Sequence, residues 1–127
     1  MTKRIVMPVE NQAGLEAPIA QHFGKAPYYA VVDLNGDNTV FDIKTEMNRS
    51  EHVGGIGLPH ENLLVLKPDM FVVCGMGPGC LRSLQSTGMT VLKAVGNTVS
   101  DIVTAFKEGQ LKPLEGGCEH AHNHNDC

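Results

Sequence analysis

The sequence contains no tryptophan, and its aromatic residues amount to only 5% of 127 residues. This scarcity removes the stacking platforms on which proteins hold single-stranded nucleic acids. Positive charge is also lacking, because the formal net charge is −4, so the surface has no general attraction for nucleic acids or acidic membranes. We therefore expect neither a nucleic-acid partner nor a membrane partner, and an anionic ligand would need local donors.

Long apolar segments are missing as well. The apolar segment near the N-terminus stops at Pro8, which is too short for a signal peptide, and no later segment is long enough to span a bilayer. These features predict a cytoplasmic protein. In that reducing compartment the four cysteines are expected to be thiols or metal ligands rather than a disulfide framework.

The apolar pattern predicts one α/β domain over residues 1–115. Strands are predicted over residues 4–9, 28–34, 40–47, 70–74 and 90–95. Helices are predicted over residues 60–66, 80–88 and 98–109. The resulting order is β-β-β-α-β-α-β-α, and strands joined through helices are expected to be parallel neighbours.

Two local signals support this assignment. The Asn35-Gly36 turn predicts that the second and third strands form a hairpin, and alternation along the third strand predicts one half-buried face that includes Phe41 and Ile43. Thr98 and Asp101 have the spacing of a capping box at the start of the last helix.

The last twelve residues, 116–127, have no apolar period and predict a mobile tail. Imidazole and thiolate are the usual protein ligands of zinc, copper, nickel and iron, so the composition of the tail indicates a metal site. The alternative is a low-complexity tail without a ligand. The candidate metal ligands are Cys118, His120, His122, His124 and Cys127.

A glycine-rich turn follows the fourth predicted strand and contains Gly75, Gly77 and Gly79. Glycines at this position let backbone N–H groups approach an anion, and the helix that follows adds a partial positive charge. Cys80 falls in the first turn of that helix, where a thiolate is stabilised. The alternative is a tight turn with buried cysteines. No Gly-Lys-Ser/Thr follows, so the turn is not a P-loop.

A third candidate is His22, which is followed by Phe23 and Gly24. A single histidine in a loop is more often structural than a ligand. Phe23, however, has the character of an anchor that would hold His22 in a fixed direction.

Several segments together resemble the dinitrogenase iron–molybdenum cofactor-binding family, which includes NifX and the C-terminal part of some NifB proteins. The hallmark segment is Gln-His-Phe-Gly-Lys-Ala-Pro-Tyr-Tyr at residues 21–29. The resemblance continues through Glu-His-Val-Gly-Gly at 51–55, the segment 68–79 that ends in Gly-Met-Gly-Pro-Gly, and Gly-Gln-Leu-Lys-Pro-Leu at 109–114. It covers about residues 3 to 114.

The resemblance implies a ribonuclease H-like fold, with a five-stranded mixed sheet flanked by helices on both faces. It also implies that the protein binds iron–molybdenum cofactor, its precursor or a related metal–sulfur cluster without catalysing a reaction. His22 is the implied ligand, and His52 matches the family's second loop. Cluster donor and acceptor proteins are the implied partners. Pro59 departs from the family pattern, so the first helix is expected to be short.

Three other functions compete with cluster carriage. A ribonuclease H-like nuclease needs several carboxylates around two metal ions, but the first strand has no acid in its body and Asp69 precedes its strand. We therefore reject the nuclease. A metallochaperone that binds a divalent metal through its tail remains an alternative, and so does an interaction module without a cofactor.

Overall fold

The first apolar strand, β1 (Lys3–Val9), lies in the middle of one mixed sheet. The structure is a computed structural model that describes residues 2–48, 66–76 and 78–114. The other strands in these residues are β2 (Tyr28–Leu34), β3 (Val40–Met47), β4 (Met70–Val73), β5 (Thr90–Lys93) and β6 (Lys112–Pro113). Their order across the sheet is β3-β2-β1-β4-β5-β6.

Strand directions divide the sheet into an antiparallel half and a parallel half. β1 pairs antiparallel with β2, and β2 pairs antiparallel with β3, which confirms the predicted hairpin. β4 is parallel to both β1 and β5. The predicted parallel neighbours are therefore found for β4 and β5. β3 is not a neighbour of β4, because β1 and β2 lie between them.

In the described residues, one α-helix lies on each face of the sheet. The helix α1 (Pro78–Ser86) packs Leu81 and Leu84 into an apolar cluster with Val6, Phe71 and other side chains from one face. The helix α2 (Val99–Lys107) packs Val99 and Ile102 against the opposite face. This alternation follows from the period of two along buried strands, which sends successive side chains to opposite faces. No helix in the described residues is long and apolar enough to cross a membrane.

The start of α2 has the capping box that the sequence predicts. Thr98 Oγ1 accepts from the backbone N–H of Asp101 at 3.2 Å, and the Asp101 carboxylate accepts from the N–H of Thr98 at 3.2 Å. The same carboxylate accepts from the N–H of Asn97 at 2.9 Å. These backbone hydrogen bonds lower the pKa of Asp101, and the bond from Asn97 has the largest effect. Gly96 precedes them with a φ of +96°, a conformation that side chains rarely adopt.

A bidentate ion pair joins β1 to β2 near one end of the sheet. Arg4 Nε and Nη2 donate to the two carboxylate oxygens of Asp33 at 2.8 and 3.2 Å. Asp33 is buried, whereas Arg4 is partly exposed. The hydrogen-bonded carboxylate of Asp33 is the main cause of the raised pKa of Arg4. The register that places these residues opposite each other is therefore supported by charge as well as by apolar burial.

Several sequence predictions need correction. The described sheet has six strands rather than five, and the chain continues after α2 into β6. β6 has only two residues and no alternation to detect; it forms because Lys112 and Pro113 pair with β5. The fourth and fifth strands end earlier than predicted, at Val73 and Lys93. The predicted helix at 60–66 lies outside the described residues except for Leu66, which is in a turn. The ribonuclease H-like assignment stays a prediction.

Phe41 is a further correction. The simple alternation predicts it on the half-buried face with Ile43, but 53% of its surface is exposed. The reason is a shift in register: Asp33 pairs with Asp42, and Leu34 pairs with Val40, which leaves Phe41 as the extra residue of a bulge. A bulge moves the residues beyond it to the opposite face from the one that alternation predicts.

Candidate functional site

The candidate site lies where the three parallel strands end. β1, β4 and β5 run in the same direction, so their carboxyl ends lie at one edge of the sheet. Open α/β sheets usually bind ligands at this edge. The loop that contains His22 follows β1, the glycine-rich turn follows β4, and the start of α2 follows β5.

The segment 17–20 fixes the approach to His22. The N–H of Ala20 donates to the carbonyl of Pro8 at 2.9 Å, which attaches the segment to the end of β1. The N–H of Ile19 donates to the carbonyl of Asn97 at 2.8 Å, and the N–H of Val99 donates to that of Ala17 at 3.1 Å. The chain just before His22 is therefore tied to the start of α2 as well as to the sheet.

Phe23 anchors the loop in the apolar core. It is completely buried, and its ring centroid lies 5.3 Å from that of Tyr29 and 5.5 Å from that of Phe71. The ring of Phe23 is tilted against that of Tyr29 and meets that of Phe71 edge to face, which are favourable arrangements for aromatic quadrupoles. The hydroxyl of Tyr29 donates to the backbone carbonyl of Phe23. The expected anchoring role of Phe23 therefore has a structural counterpart in these contacts.

Asn48 holds the other half of the loop. This residue, 7% exposed, directly follows β3, and its side-chain amide donates to the carbonyls of Gly24 at 2.9 Å and Ala26 at 2.7 Å. Its backbone N–H donates to the carbonyl of Pro27 at 3.1 Å. These bonds give the loop carbonyls their partners, so the loop is braced on the sheet without regular secondary structure.

His22 is exposed at the start of this braced loop. It lines a shallow depression of about 260 Å³ together with Lys25 and Glu10. The remaining lining residues are Ile19, Ala20, Gln21 and Ala26. The depression therefore combines an apolar floor with one imidazole, one ammonium group and one carboxylate. An imidazole in such a position can coordinate a metal, and the ammonium group can attract an anion.

The glycine-rich turn packs on the same core as the His22 loop. Gly75 is buried, and Met76 and Cys80 belong to the apolar cluster that contains Phe23. Cys80 lies in the first turn of α1, as the sequence predicts, but only 5% of it is exposed. Gly79 is half-buried in the same turn, and Gly77 lies outside the described residues.

Cys74, at the start of the turn, is a half-buried thiol. Burial raises its pKa, and the positive charge of Lys93 opposes this shift. The thiol form is therefore favoured over the thiolate, which is the form that binds metals.

The structure brings His22, Phe23 and Gly24 to the same edge as Gly75, Gly79 and Cys80. His52 and the tail ligands Cys118, His120, His122, His124 and Cys127 lie outside the described residues, so these predictions are not tested. Among the described residues, no three His, Cys, Asp or Glu side chains are grouped closely enough to hold a metal ion.

A second depression, of about 670 Å³, lies between the β2–β3 turn and the end of α2. Its lining includes Thr39, Thr104 and Lys107 but none of the residues that the sequence singles out. We therefore place the candidate site at the His22 loop in spite of the smaller volume there.

Sequence reasoning missed three residues at the site: Tyr29, Asn48 and Lys25. Tyr29 and Lys25 lie within the hallmark segment at residues 21–29, so the segment is predicted to be functional, but the contacts of these two side chains are not predicted. Asn48 lies 22 and 24 residues from the carbonyls that it contacts. A polar residue directly after a strand is too common to indicate such a role.

Known proteins resemble the chain in sequence pattern and in fold. A family model described as dinitrogenase iron–molybdenum cofactor matches residues 3–109. No curated protein matches the sequence. The apo form of the orange protein from Desulfovibrio gigas is 21% identical, with a TM-score of 0.76 over 92% of this chain and 97% of that chain.

Two further solved structures share the fold. A proposed NifB protein from Thermotoga, assigned to the DUF35 family, is 20% identical with a TM-score of 0.71 over 93% of this chain and 98% of that chain. A proposed dinitrogenase from Methanocaldococcus jannaschii is 14% identical, with a TM-score of 0.69 over 91% of this chain and 97% of that chain. At these identities the likeness concerns the fold.

Proposed function

The chain belongs to the dinitrogenase iron–molybdenum cofactor family, and from this membership we propose that it binds and carries a metal–sulfur cluster without catalysing a reaction. The cargo is iron–molybdenum cofactor, its precursor or a related cluster. The single observation that carries the proposal for this chain is an exposed His22 on a loop that the core and Asn48 hold in place.

A braced loop favours binding through few bonds. Ordering a flexible segment costs about 1–2 kcal/mol per residue in backbone entropy. Here the contacts of Phe23, Tyr29 and Asn48 order the loop on folding, so that cost does not fall on cluster binding. One imidazole–metal bond can then give enough affinity to hold a cluster and still allow it to dissociate. A carrier requires both.

Backbone donors near the site favour an anionic cargo. The chain as a whole is negative, with a formal charge of −4, so attraction must come from the site itself. Lys25 lines the depression and Glu10 opposes its charge there, but the first turn of α1 follows the glycine-rich turn at the same edge. Helix N-termini and backbone N–H groups favour anions without a full positive charge.

The roles that we propose for individual residues follow from the family resemblance and, for His22 and Cys80, from their exposure. His22 provides the metal bond, and Phe23 and Gly24 set the direction of its backbone. Gly75, Gly77 and Gly79 offer backbone N–H groups, and His52 is assigned to a second loop. Cys80 is buried among Phe23 and Met76, so a bond from its thiol requires a shift of the turn. We therefore assign the first bond to His22.

Cluster donor and acceptor proteins are the partners that a carrier requires. Because a carrier receives and releases its cargo intact, the proposal assigns no catalytic residue. We further propose that the protein acts in the cytoplasm.

The test compares metal and acid-labile sulfide in protein purified without oxygen. The samples are the full chain, a chain that ends at Gly116, His22→Ala, and Gln21→Ala as the matched control from the same depression. We expect metal with sulfide in the full chain, the truncated chain and Gln21→Ala, and at least a tenfold weaker retention in His22→Ala. A tenfold loss corresponds to about 1.4 kcal/mol.

Two results would contradict the proposal. If His22→Ala retains the cluster as well as Gln21→Ala does, the site is elsewhere. If the metal carries no sulfide and is lost with residues 117–127, the chain is a metallochaperone that acts through its tail.

A further inference from the structure

The third strand, β3, forms one edge of the described sheet. It has eight residues and pairs with β2 on one side, and no other strand of the described residues pairs with its second side. Met47 near its end is 61% exposed. A long edge strand of this kind is a template for pairing with another chain.

The direction of the backbone groups along β3 can be read from one hydrogen bond. The N–H of Asn48 donates to the carbonyl of Pro27, which continues the β2–β3 register by one pair. In an antiparallel ladder, residues that point to the neighbouring strand alternate with residues that point away. Ile43, Thr45 and Met47 therefore direct their N–H and C=O groups to the open side.

Side chains on β3 divide between the two faces of the sheet. Asp42, Lys44 and Glu46 lie opposite Asp33, Val31 and Tyr29 of β2, which places the three charged residues on one face. Ile43 and Met47 lie opposite Val32 and Tyr28 and therefore project from the other face. The strand thus presents one charged row and one mainly apolar row to any chain that extends the sheet.

We propose that a second copy of this chain docks on the open edge of β3, antiparallel and with its two-fold axis at Thr45. In this register, Lys44 lies opposite the partner's Glu46, and Ile43 lies opposite the partner's Met47, each pair occurring twice. Thr45 exchanges backbone hydrogen bonds with the partner's Thr45. Opposite charges and apolar contacts directly across an antiparallel pair are the stabilising arrangements.

Neighbouring registers are less favourable. An axis at Lys44 would place Lys44 against its own copy and Asp42 against the partner's Glu46, which are repulsive pairs. An axis at Ile43 would draw Val40 and Phe41 into the ladder, where the bulge interrupts regular pairing. The axis at Thr45 uses only the regular part of the strand, from Asp42 onward.

The edge charges explain why pairing would be selective. Charged residues on an edge strand usually discourage association. On β3 they alternate in sign along the row, so an axis at Lys44 or Glu46 opposes like charges, whereas the axis at Thr45 pairs opposite charges. The bulge, not the charge row, disfavours the axis at Ile43. The interface is short, so we expect a weak, concentration-dependent dimer rather than an obligate one.

The test measures molar mass by light scattering and sedimentation over micromolar to millimolar concentrations of the full chain. A chelator and a reductant are present, so that the His/Cys-rich tail cannot bridge two copies. We expect the mass to rise from the 13.7 kDa of one chain towards twice that value. Amide exchange at Ile43, Thr45 and Met47 should slow as the dimer forms.

Charge exchange tests the register. Lys44→Glu and Glu46→Lys should each weaken dimerisation roughly tenfold, because each opposes like charges twice in the dimer. The double variant Lys44→Glu/Glu46→Lys should restore it, which also shows that the single variants lose pairing and not folding. Asp42→Lys is the matched control, because Asp42 faces only the partner's Asn48 in this register.

Three outcomes would overturn the proposal. If Asp42→Lys disrupts the dimer, the two strands pair in another register. If the protein is a monomer at every concentration and the three amides exchange fast, the edge of β3 is open and unused. If the protein is a monomer and these amides exchange slowly, another segment of the same chain covers the edge.

Discussion

Replacing Asn48 with alanine should loosen the loop that carries His22. The side-chain amide of Asn48 donates to two backbone carbonyls, those of Gly24 and Ala26. Each such bond contributes about 0.5–1.5 kcal/mol net, and its loss leaves a buried carbonyl without its donor. We therefore expect Asn48→Ala to lower the free energy of unfolding by about 2 kcal/mol. For a domain of this size that corresponds to a fall in Tm of roughly 8 °C.

The loss of local stability in the loop should be as large as the loss in the free energy of global unfolding. A loss of about 2 kcal/mol in the local opening free energy accelerates amide exchange in residues 23–26 about thirtyfold. Amides in α2, on the opposite face of the sheet, should change only as much as global stability does. Denaturant unfolding and mass-resolved hydrogen exchange measure the two quantities.

Asn35→Ala is the matched control, because Asn35 donates its side-chain amide to Thr39 Oγ1 at 3.0 Å on an exposed turn. Exposed substitutions usually change stability by less than about 0.5 kcal/mol. If Asn48→Ala and Asn35→Ala have the same Tm, and exchange in residues 23–26 is unchanged, Asn48 does not brace the loop. The backbone that carries His22 would then not be held by Asn48.

Three further predictions concern the scaffold. Gly96→Ala should lower the free energy of unfolding by about 2 kcal/mol, because the φ of Gly96 is +96° and an added Cβ would lie 2.4 Å from the Cβ of Asp101. Gly14→Ala is the control: its φ is +66° but the space around it is open, so thermal unfolding should show about half that loss of stability. Backbone hydrogen bonds hold the folded-state pKa of Asp101 below its unfolded value, so its contribution to stability is present above about pH 4 and is lost as the pH falls through the folded-state pKa. Asp101→Asn should therefore be less stable than the original chain at pH 6, and denaturant titrations should show this difference shrinking as the pH falls below about 4. Asp33→Ala should cost about 2 kcal/mol in urea unfolding, because it leaves Arg4 without its bidentate partner, and an unchanged midpoint would refute that estimate.

Local patterns were sufficient for most elements of the fold. β2 and β3 have the predicted bounds. The Asn-Gly turn marks where β2 ends, and the change from the buried side chains of β2 to the mixed pattern of β3 separates the two strands. The capping box at Thr98 was visible from spacing alone, since both of its partners lie within one helical turn. Such features depend on residues that are close in sequence, so they can be predicted from it.

Features that depend on distant pairing could not be predicted in the same way. β6 has no pattern of its own and exists because β5 offers Leu92 and Lys93 as partners. The bulge at Phe41 depends on the register between two strands, which alternation within one strand does not determine. The same limit applies at the candidate site. Asn48 acts on carbonyls 22 and 24 residues away, so its contacts could not be predicted, whereas His22 and Phe23 are candidates from one short segment.

The contacts around His22 separate the ordering of the loop from ligand binding, which suits the carrier role that we propose. Burial of Phe23, the hydroxyl of Tyr29 and the amide of Asn48 all act on the backbone or the core side of the loop, and none of these three contacts involves the imidazole of His22. Folding energy therefore fixes the backbone that carries the imidazole, while the binding energy comes from the bond that the imidazole makes. A carrier needs this separation, because a cargo held by many ordered ligands would be released only by disrupting the fold. Strengthening the brace should then speed capture, whereas adding a second ligand beside His22 should slow release.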